Sequence, residues 1–383
     1  MIQGYRRPDG SFGIRNHLLV LGINGLALRA AEKIARGIAG AVCVATVSGR
    51  GQVEPDLGLH LDQLVGLGCN PNAGAVLVVG VDDETTQGVS ARIAATGMPV
   101  QAVSFAEAHE DVLAVVDLGT RRAAALARLA SRVRRESVPV AGLTVGIECG
   151  HSDATSGLVS NPVVGGAIDA LVDHGGTAII GETVEWLGAE HLLARRARIP
   201  QVGDAIVAAV RERERMAAAS GRSLTGNNPG EENIRGGLST IEEKSLGAIV
   251  KSGTRPVDGV LQVAERPQRP GLYVMDGPAF SPDSITGFAA SGAQVVVFTT
   301  GPGNSYASAL APTVKVSAQP DAVRRLAEQI DFDASAALTG GQPIAALAER
   351  LFETILDVAE GTLTFGEILG EGLEVPTRIR GSL

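Results

Sequence analysis

The feature that most restricts this chain is a repeated alternation. Short unbroken apolar runs, HLLVLGI (17–23), AVCVATV (41–47) and AVLVVGV (75–81), are separated by helix-like stretches at 27–38 and 57–67. Apolar runs of that kind suit strands buried on both faces, and strands spaced by helices pair in parallel as βαβ units. The pattern continues with a strand at 100–105 and a helix at 122–135. After the charged, proline-ended stretch RVRRESVP (132–139) it resumes with strands in AGLTVGIECG (141–150), TAIIGE (177–182), LYVMDGP (272–278) and AQVVVFTTGPGNSY (293–306). Helices are expected at 204–220 and 343–361. The expected fold class is α/β, with two or more Rossmann-like parallel-sheet layers and glycine-rich loops at the carboxyl ends of the strands. The expected division is an N-terminal α/β domain over 1–138 and a C-terminal α/β catalytic domain over 139–383, with the site at their interface.

Composition narrows the partners. Aromatic residues are only 3% of the 383, so the core must come from Ala, Val, Leu and Ile. The net charge of −9 argues against nucleic acid, because phosphate binding needs a basic patch. The one basic cluster, Arg132, Arg134 and Arg135, reads as a solvated helix end or linker. Cys43, Cys69 and Cys149 show neither disulfide-framework nor zinc spacing, which points to a reducing, cytoplasmic setting. No apolar run approaches the ~18 residues of a membrane span, so no membrane is expected.

In parallel sheets ligands bind beyond the carboxyl ends of the strands. That rule gathers the loops at 48–52, 82–85, 149–156, 182–186, 276–281 and 299–304 on one expected rim. In IECGHSDATSGLVSNPVVGG (147–166), Cys149, His151 and Asp153 follow a strand at alternate positions. A thiol, an imidazole and a carboxylate are all possible metal ligands, yet the same residues also serve as a strand end capped by Ser and Asp. In NIRGGLSTIEEKSLG (233–247), Ser239 or Thr240 precedes Glu242 and Glu243 as a helix N-cap. That is either a carboxylate-binding helix start beside Lys244 or a well-capped surface helix. The loop TTGPGNS (299–305) offers amide and hydroxyl donors to an anion, with Lys315 after it, but it lacks the ending of a phosphate loop. No dinucleotide fingerprint occurs. Finally, GYRRPDGSFGIRN (4–16) is either an anion-binding arm or a polar tether for the terminus.

Taken together, GYRRPDGSFGIRN, ECGHSDATSGLVSNPVVG, NIRGGLSTIEEKSLG and TGFAASGAQVVVFTTGPG with APTVKV resemble the altronate/galactarate dehydratase family, in order and down to the tail TRIRGS (377–382). The large subunit of sulfolactate sulfo-lyase is a member. The resemblance implies a lyase that removes water, or sulfite, from a small hydroxylated carboxylic acid. It implies a divalent metal (iron, manganese or magnesium) and a small SAF-type domain, here expected as a separate subunit, and a homo-oligomer.

Where the family has cysteines in GCGQ and GCE turns, this chain has Arg50 and Asp83; His151 replaces a glycine of CGGSD, and Pro302 an arginine. Those departures put the metal in doubt. The roles expected from the resemblance are His151 or Lys244 as base or acid with Asp153 and Ser152 beside them, and Cys149, Asp83 and Glu84 as metal ligands. Arg15, Asn16, Arg50, Asn161, Thr299, Thr300, Gly301, Asn304 and Lys315 would hold anionic groups. The turn of Asn233, Gly236, Gly237 and Thr240 would orient the carboxylate. The expected reaction is dehydration of a sugar acid to a 2-keto acid, with sulfite release from sulfolactate or a non-catalytic binding subunit as alternatives.

Overall fold

The structure, a computed structural model, describes residues 1–221 and 228–378. The end of the TRIRGS tail lies outside them. The chain begins with β1 (Ile2–Arg6) and β2 (Phe12–Gly13) and continues through β3 (His17–Gly22), α1 (Leu28–Arg36), β4 (Ala41–Ala45), α2 (Asp56–Gly68), β5 (Ala73–Gly80), α3 (Asp83–Ala94), β6 (Val100–Ser104), α4 (Val112–Ala130) and β7 (Glu136–Val138). There follow β8 (Thr144–Cys149), α5 (Asn161–Asp173), β9 (Thr177–Ile180), α6 (Glu190–Arg195), α7 (Pro200–Ala219), α8 (Glu231–Arg235) and α9 (Ile241–Ile249). The last elements are β10 (Val257–Gln262), β11 (Gly271–Asp276), α10 (Ser281–Ala290), β12 (Val295–Thr299), β13 (Thr313–Ser317), α11 (Pro320–Arg325), β14 (Phe332–Asp333), α12 (Ile344–Glu360) and α13 (Phe365–Leu369).

Two parallel sheets carry the fold. One has strand order β4-β3-β5-β6 and the other β10-β11-β9-β8-β12-β13-β14. Every residue of β5 is buried, as a strand covered by helices on both faces requires. The expected α/β class with parallel-sheet layers is therefore what the chain forms. A small antiparallel sheet, β2-β1-β7, joins the terminus to the linker. Its Ile2, Phe12 and Val138, with Ile14, pack into the core of the seven-stranded sheet.

Some elements differ from expectation. The helix expected at 122–135 is α4, which starts at Val112 and ends at Ala130. Asp111 caps it by accepting from the Leu113 amide at 2.8 Å, and the apolar start VLAVV hid it from a periodicity reading. Arg135 is no solvated end. It donates to the carbonyls of Gln3, Ile14 and Ala359 and lies 5.0 Å over the Tyr5 ring, stapling the terminus to α12.

The sheets meet where α2 crosses α10, with the Asn70 and Asn72 amides donating to the carbonyls of Ala289, Ala293, Gln294 and Leu310. The six loops expected on one rim therefore lie on two. Loops 48–52 and 82–85 follow strands of the four-stranded sheet; the other four follow β8, β9, β11 and β12.

Candidate active site

The chain passes from β8 to β9 on one side and returns to place β12 on the other, so β8 is the switch point of the seven-stranded sheet. A cavity of about 350 Å³ opens there, walled by residues between Cys149 and Tyr306, all from the second half of the chain. Cys149 and Glu182 lie on its floor side, Lys244 and Asn233 come from the α8–α9 segment, and Asn304 and Phe280 come from the far loops. Its walls are mainly polar, which suits a small ionic ligand.

Beneath it lies a charge cluster that the sequence did not announce. β8 pairs in parallel with β9 with Ile147 beside Ile180, so the next residues bring Glu148 and Cys149 alongside Gly181 and Glu182. Glu182 adopts a left-handed backbone (φ 59°), uncommon for a side chain of this kind, and it follows the strand directly. The turn Thr183–Trp186 then supplies Glu185. Glu148, Glu182 and Glu185 are all buried. Lys251 Nζ donates to Glu185 Oε2 at 2.5 Å, and Lys244 Nζ sits 3.4 Å from Glu185 Oε1.

Charge balance sets the protonation. Burial alone would raise the Glu185 pKa, but Lys251 and Lys244 outweigh it and hold the group below the usual carboxylate range. Burial would lower both lysines, but the facing carboxylates, Glu185 first, hold each above its ordinary value. Lys244 is thus a fixed cation at the cavity wall, suited to stabilise an anion rather than to act as a base. Glu182 is pushed well up by burial and by the charges of Glu148 and Glu185. Glu148 is pushed up by burial, against the pull of its hydrogen bond to Glu182 and of Lys251.

The expected site residues divide into groups. Cys149, His151, Asn233, Lys244 and Asn304 line the cavity together. His151 is exposed, takes a left-handed backbone (φ 54°), and places Nδ1 3.2 Å from the Gly303 carbonyl. The Cys149 thiol lies 2.8 Å from Ser152 Oγ and accepts from Asn161 Nδ2 at 3.5 Å.

A second group builds the loop behind. Asp153 Oδ1 accepts from Thr155 Oγ1 and from the Ser156 amide and hydroxyl, capping the turn into the π-helical stretch Ser156–Ser160. Asn233 Nδ2 donates to the Ser152 carbonyl at 2.9 Å, and the Gly236 carbonyl accepts from the Ala154 amide, so the NIRGG turn clamps the CGHSD loop. Gly237 bends that turn with φ 97°. Thr299 Oγ1 donates to Asn161 Oδ1 at 2.7 Å, Thr300 Oγ1 accepts from the Gly303 amide, and Gly301 faces the Asp153 carboxylate. Thr240 caps α9 by accepting from the Glu243 amide at 3.1 Å, as a surface-helix reading predicts, while Lys244 one residue further reaches the cavity.

A third group lies elsewhere. Arg15 is buried against Glu367, and Asn16 bridges Arg7 and the Ala130 carbonyl. Lys315, fully buried, pairs with Glu371 at 2.5 Å. These three tie the two ends of the chain together, so the N-terminal arm is a tether. Arg50 is exposed beside Asp82 on the four-stranded sheet. Asp83 accepts from Ser104 Oγ, and Asp83 and Glu84 occupy the first turn of α3.

The proposed metal ligands Cys149, Asp83 and Glu84 are thus split between two sheets. Among the described residues no group of three or more His, Cys, Asp or Glu side chains is arranged to hold a metal ion. That donor set does not fit one metal, and no chemical step is drawn through it. No helix among the described residues is long and apolar enough to cross a membrane.

Comparison with known proteins places this geometry. Residues 4–131 match the second domain of D-galactarate dehydratase/altronate hydrolase, and residues 140–380 match the C-terminal domain of D-galactarate/altronate dehydratase. The chain is 40% identical to the (2R)-sulfolactate sulfo-lyase subunit beta of Chromohalobacter salexigens, over 98% of this chain and 97% of that protein. It is 30% identical to the altronate dehydratase of Escherichia coli, over 96% of this chain and 75% of that one. It is 33% identical to the galactarate dehydratase (L-threo-forming) of Escherichia coli, over 81% of this chain and 57% of that one. All three relatives are named as lyases. With both domains matched in order and relatives aligned along nearly its whole length, the chain belongs to the D-galactarate/altronate dehydratase family.

Proposed function

We propose that the chain is the catalytic subunit of a lyase that releases sulfite from a small 2-hydroxy-3-sulfonic acid of the sulfolactate type. The observation that carries this reading is the coextensive likeness to a sulfo-lyase subunit, higher in identity than that to either dehydratase. In the reaction the C2–H bond gives up its proton and its electrons form the C2=C3 bond. The C3–S bond then breaks, sulfite leaves with the pair, and the enol collapses to a 2-keto acid. Lys244 lies where an ammonium would stabilise the enediolate that develops on the substrate carboxylate. Sulfite leaves more readily than hydroxide, so the step makes less demand on a leaving-group metal. That suits a chain with Arg50 and Asp83 at two cysteine positions. A cavity at the small end of the ~300–1,000 Å³ range of ligand sites suits a short acid.

A second reading, favoured by the family's description and two relatives, is loss of water from a sugar acid by the same C2 deprotonation. The beta designation of the sulfo-lyase relative supports a separate small subunit as partner. The test is an assay of the protein, alone and with such a subunit, against sulfolactate, aldonates and aldarates, with iron, manganese and magnesium each supplied. Sulfite and keto acid in equal amounts support the first reading. Keto acid from a sugar acid without sulfite supports the second. No turnover under any condition leaves a non-catalytic binding subunit.

A further inference from the structure

The cavity's lower wall holds two carboxyl groups joined to each other. Glu148 and Glu182 share a side-chain hydrogen bond. Two ionised carboxylates have no proton to share, so one of the pair is protonated. Charge counting agrees. Lys244 and Lys251 bring two positive charges to the cluster and Glu185 removes one. A single further negative charge, spread over Glu148 and Glu182, makes the buried cluster neutral. The two members are not equivalent. Glu182 lines the cavity, whereas Glu148 lies behind it, with Oε2 accepting from Ser284 Oγ at 2.8 Å. The other cavity groups are poorly placed to be the base, since Lys244 is held protonated and His151 is exposed at the mouth, with Nδ1 turned to the Gly303 carbonyl.

We infer that Glu182 is the base that takes the C2 proton, and that Glu148 is a positioning residue that keeps Glu182 ionised by holding their common proton. The inference rests on the lyase reading and adds to it the group that starts the reaction. In the step the C2–H bond breaks, an O–H bond forms on Glu182, and the electron pair moves through C2=C3 to expel the leaving group. Glu182 returns its proton to solvent before the next turnover. Lys251, Lys244, Glu185 and Cys149 are the charged or titratable groups that face the pair.

The test uses the full chain with whichever small subunit the assay requires, and the variants Glu182→Gln, Glu182→Asp and Glu148→Gln. Glu182→Gln is expected to lower kcat by about 10²–10⁴-fold with KM little changed. It should also stop deuterium exchange from solvent into C2. Glu182→Asp should recover part of the rate. Glu148→Gln should lower kcat less and move the acid limb of the pH–rate profile to lower pH, because a neutral neighbour no longer raises Glu182. A purely structural role for Glu148 would leave that limb in place.

Independently of turnover, infrared spectra of the wild-type protein at neutral pH should show a protonated-carboxyl band that both Gln variants lose. Near-normal turnover of Glu182→Gln, or no such band, overturns the inference. A wild-type protein that converts none of the acids overturns the lyase reading itself, and the band then still reports whether the pair holds one proton.

Discussion

Lys251 and Glu185 form an ion pair at 2.5 Å with each side chain only 2% exposed, on segments more than sixty residues apart. The pair fastens the 3-10 turn Val250–Ser252 after α9 to the turn after β9, so it fixes the distance across the cavity floor. Removing one member leaves the other charge buried. Lys251→Met is expected to cost about 3–5 kcal/mol. A lowered urea midpoint with an unchanged slope would show it; a midpoint equal to wild type would mean Lys244 alone neutralises Glu185.

Arg15 separates a tether from a ligand. Its Nε and Nη2 grip the two Glu367 oxygens at 2.7 and 2.9 Å, and the same guanidinium donates to the carbonyls of Ile14, Val358 and Thr362. A lysine has neither the fork nor enough donors in that plane. Arg15→Lys is expected to lower stability by about 2 kcal/mol and to leave KM unchanged. A KM that rises several-fold with an unaltered melting temperature would return Arg15 to substrate binding.

The strands were legible because a parallel sheet buries both faces and so writes itself as unbroken apolar runs, of which 75–81 is the clearest. The polar loops were legible too, because rims of such sheets collect function. Which loops share a rim was not, since that depends on how α2 meets α10 and no local pattern records it. The Glu148–Glu182–Glu185–Lys251 cluster was equally hidden, because its contacts join residues far apart in sequence. A weak signal did exist. Glu148 in VGIEC, Glu185 in TVEWL and Lys251 in AIVKSG are single charges in apolar surroundings, and such charges are almost never buried unless paired. Asp153 misled in the opposite direction. Its place beside Cys149 and His151 suggested chemistry, while its carboxylate spends its bonds on Thr155 and Ser156.

That capping role gives a third prediction. A Cβ on Gly301 would be driven into the Asp153 carboxylate, which the turn around Ser156 holds in place. Gly301→Ala is expected to cost about 1–3 kcal/mol through overpacking and to disturb the loop that carries Cys149 and His151. Thermal melting together with the rate of thiol labelling at Cys149 checks it. An unchanged melting temperature and labelling rate would show that the loop shifts freely.

Glu374 supplies the pH dependence. It lies on the tail segment beyond α13, fully buried, accepting from Ser308 Oγ and from the amides of Ala309 and Leu310 through Oε1, while Oε2 has no hydrogen-bond partner. Burial pushes its carboxyl up from 4.5 to about 7 against those hydrogen bonds. Between those two values the folded chain keeps a proton that the unfolded chain has released, so the folded state binds more protons and stability falls as pH rises. The contribution is fully present below about pH 4.5 and is lost as pH passes about 7. Glu374→Gln replaces the titrating oxygen by an amide, keeps the acceptor for Ala309 and Leu310, and removes this limb. The variant is expected to match wild type in acid and to melt higher than wild type above neutral pH. Melting curves taken at intervals across that window decide it: parallel curves for the two proteins would mean that Glu374 is ionised in the folded chain throughout.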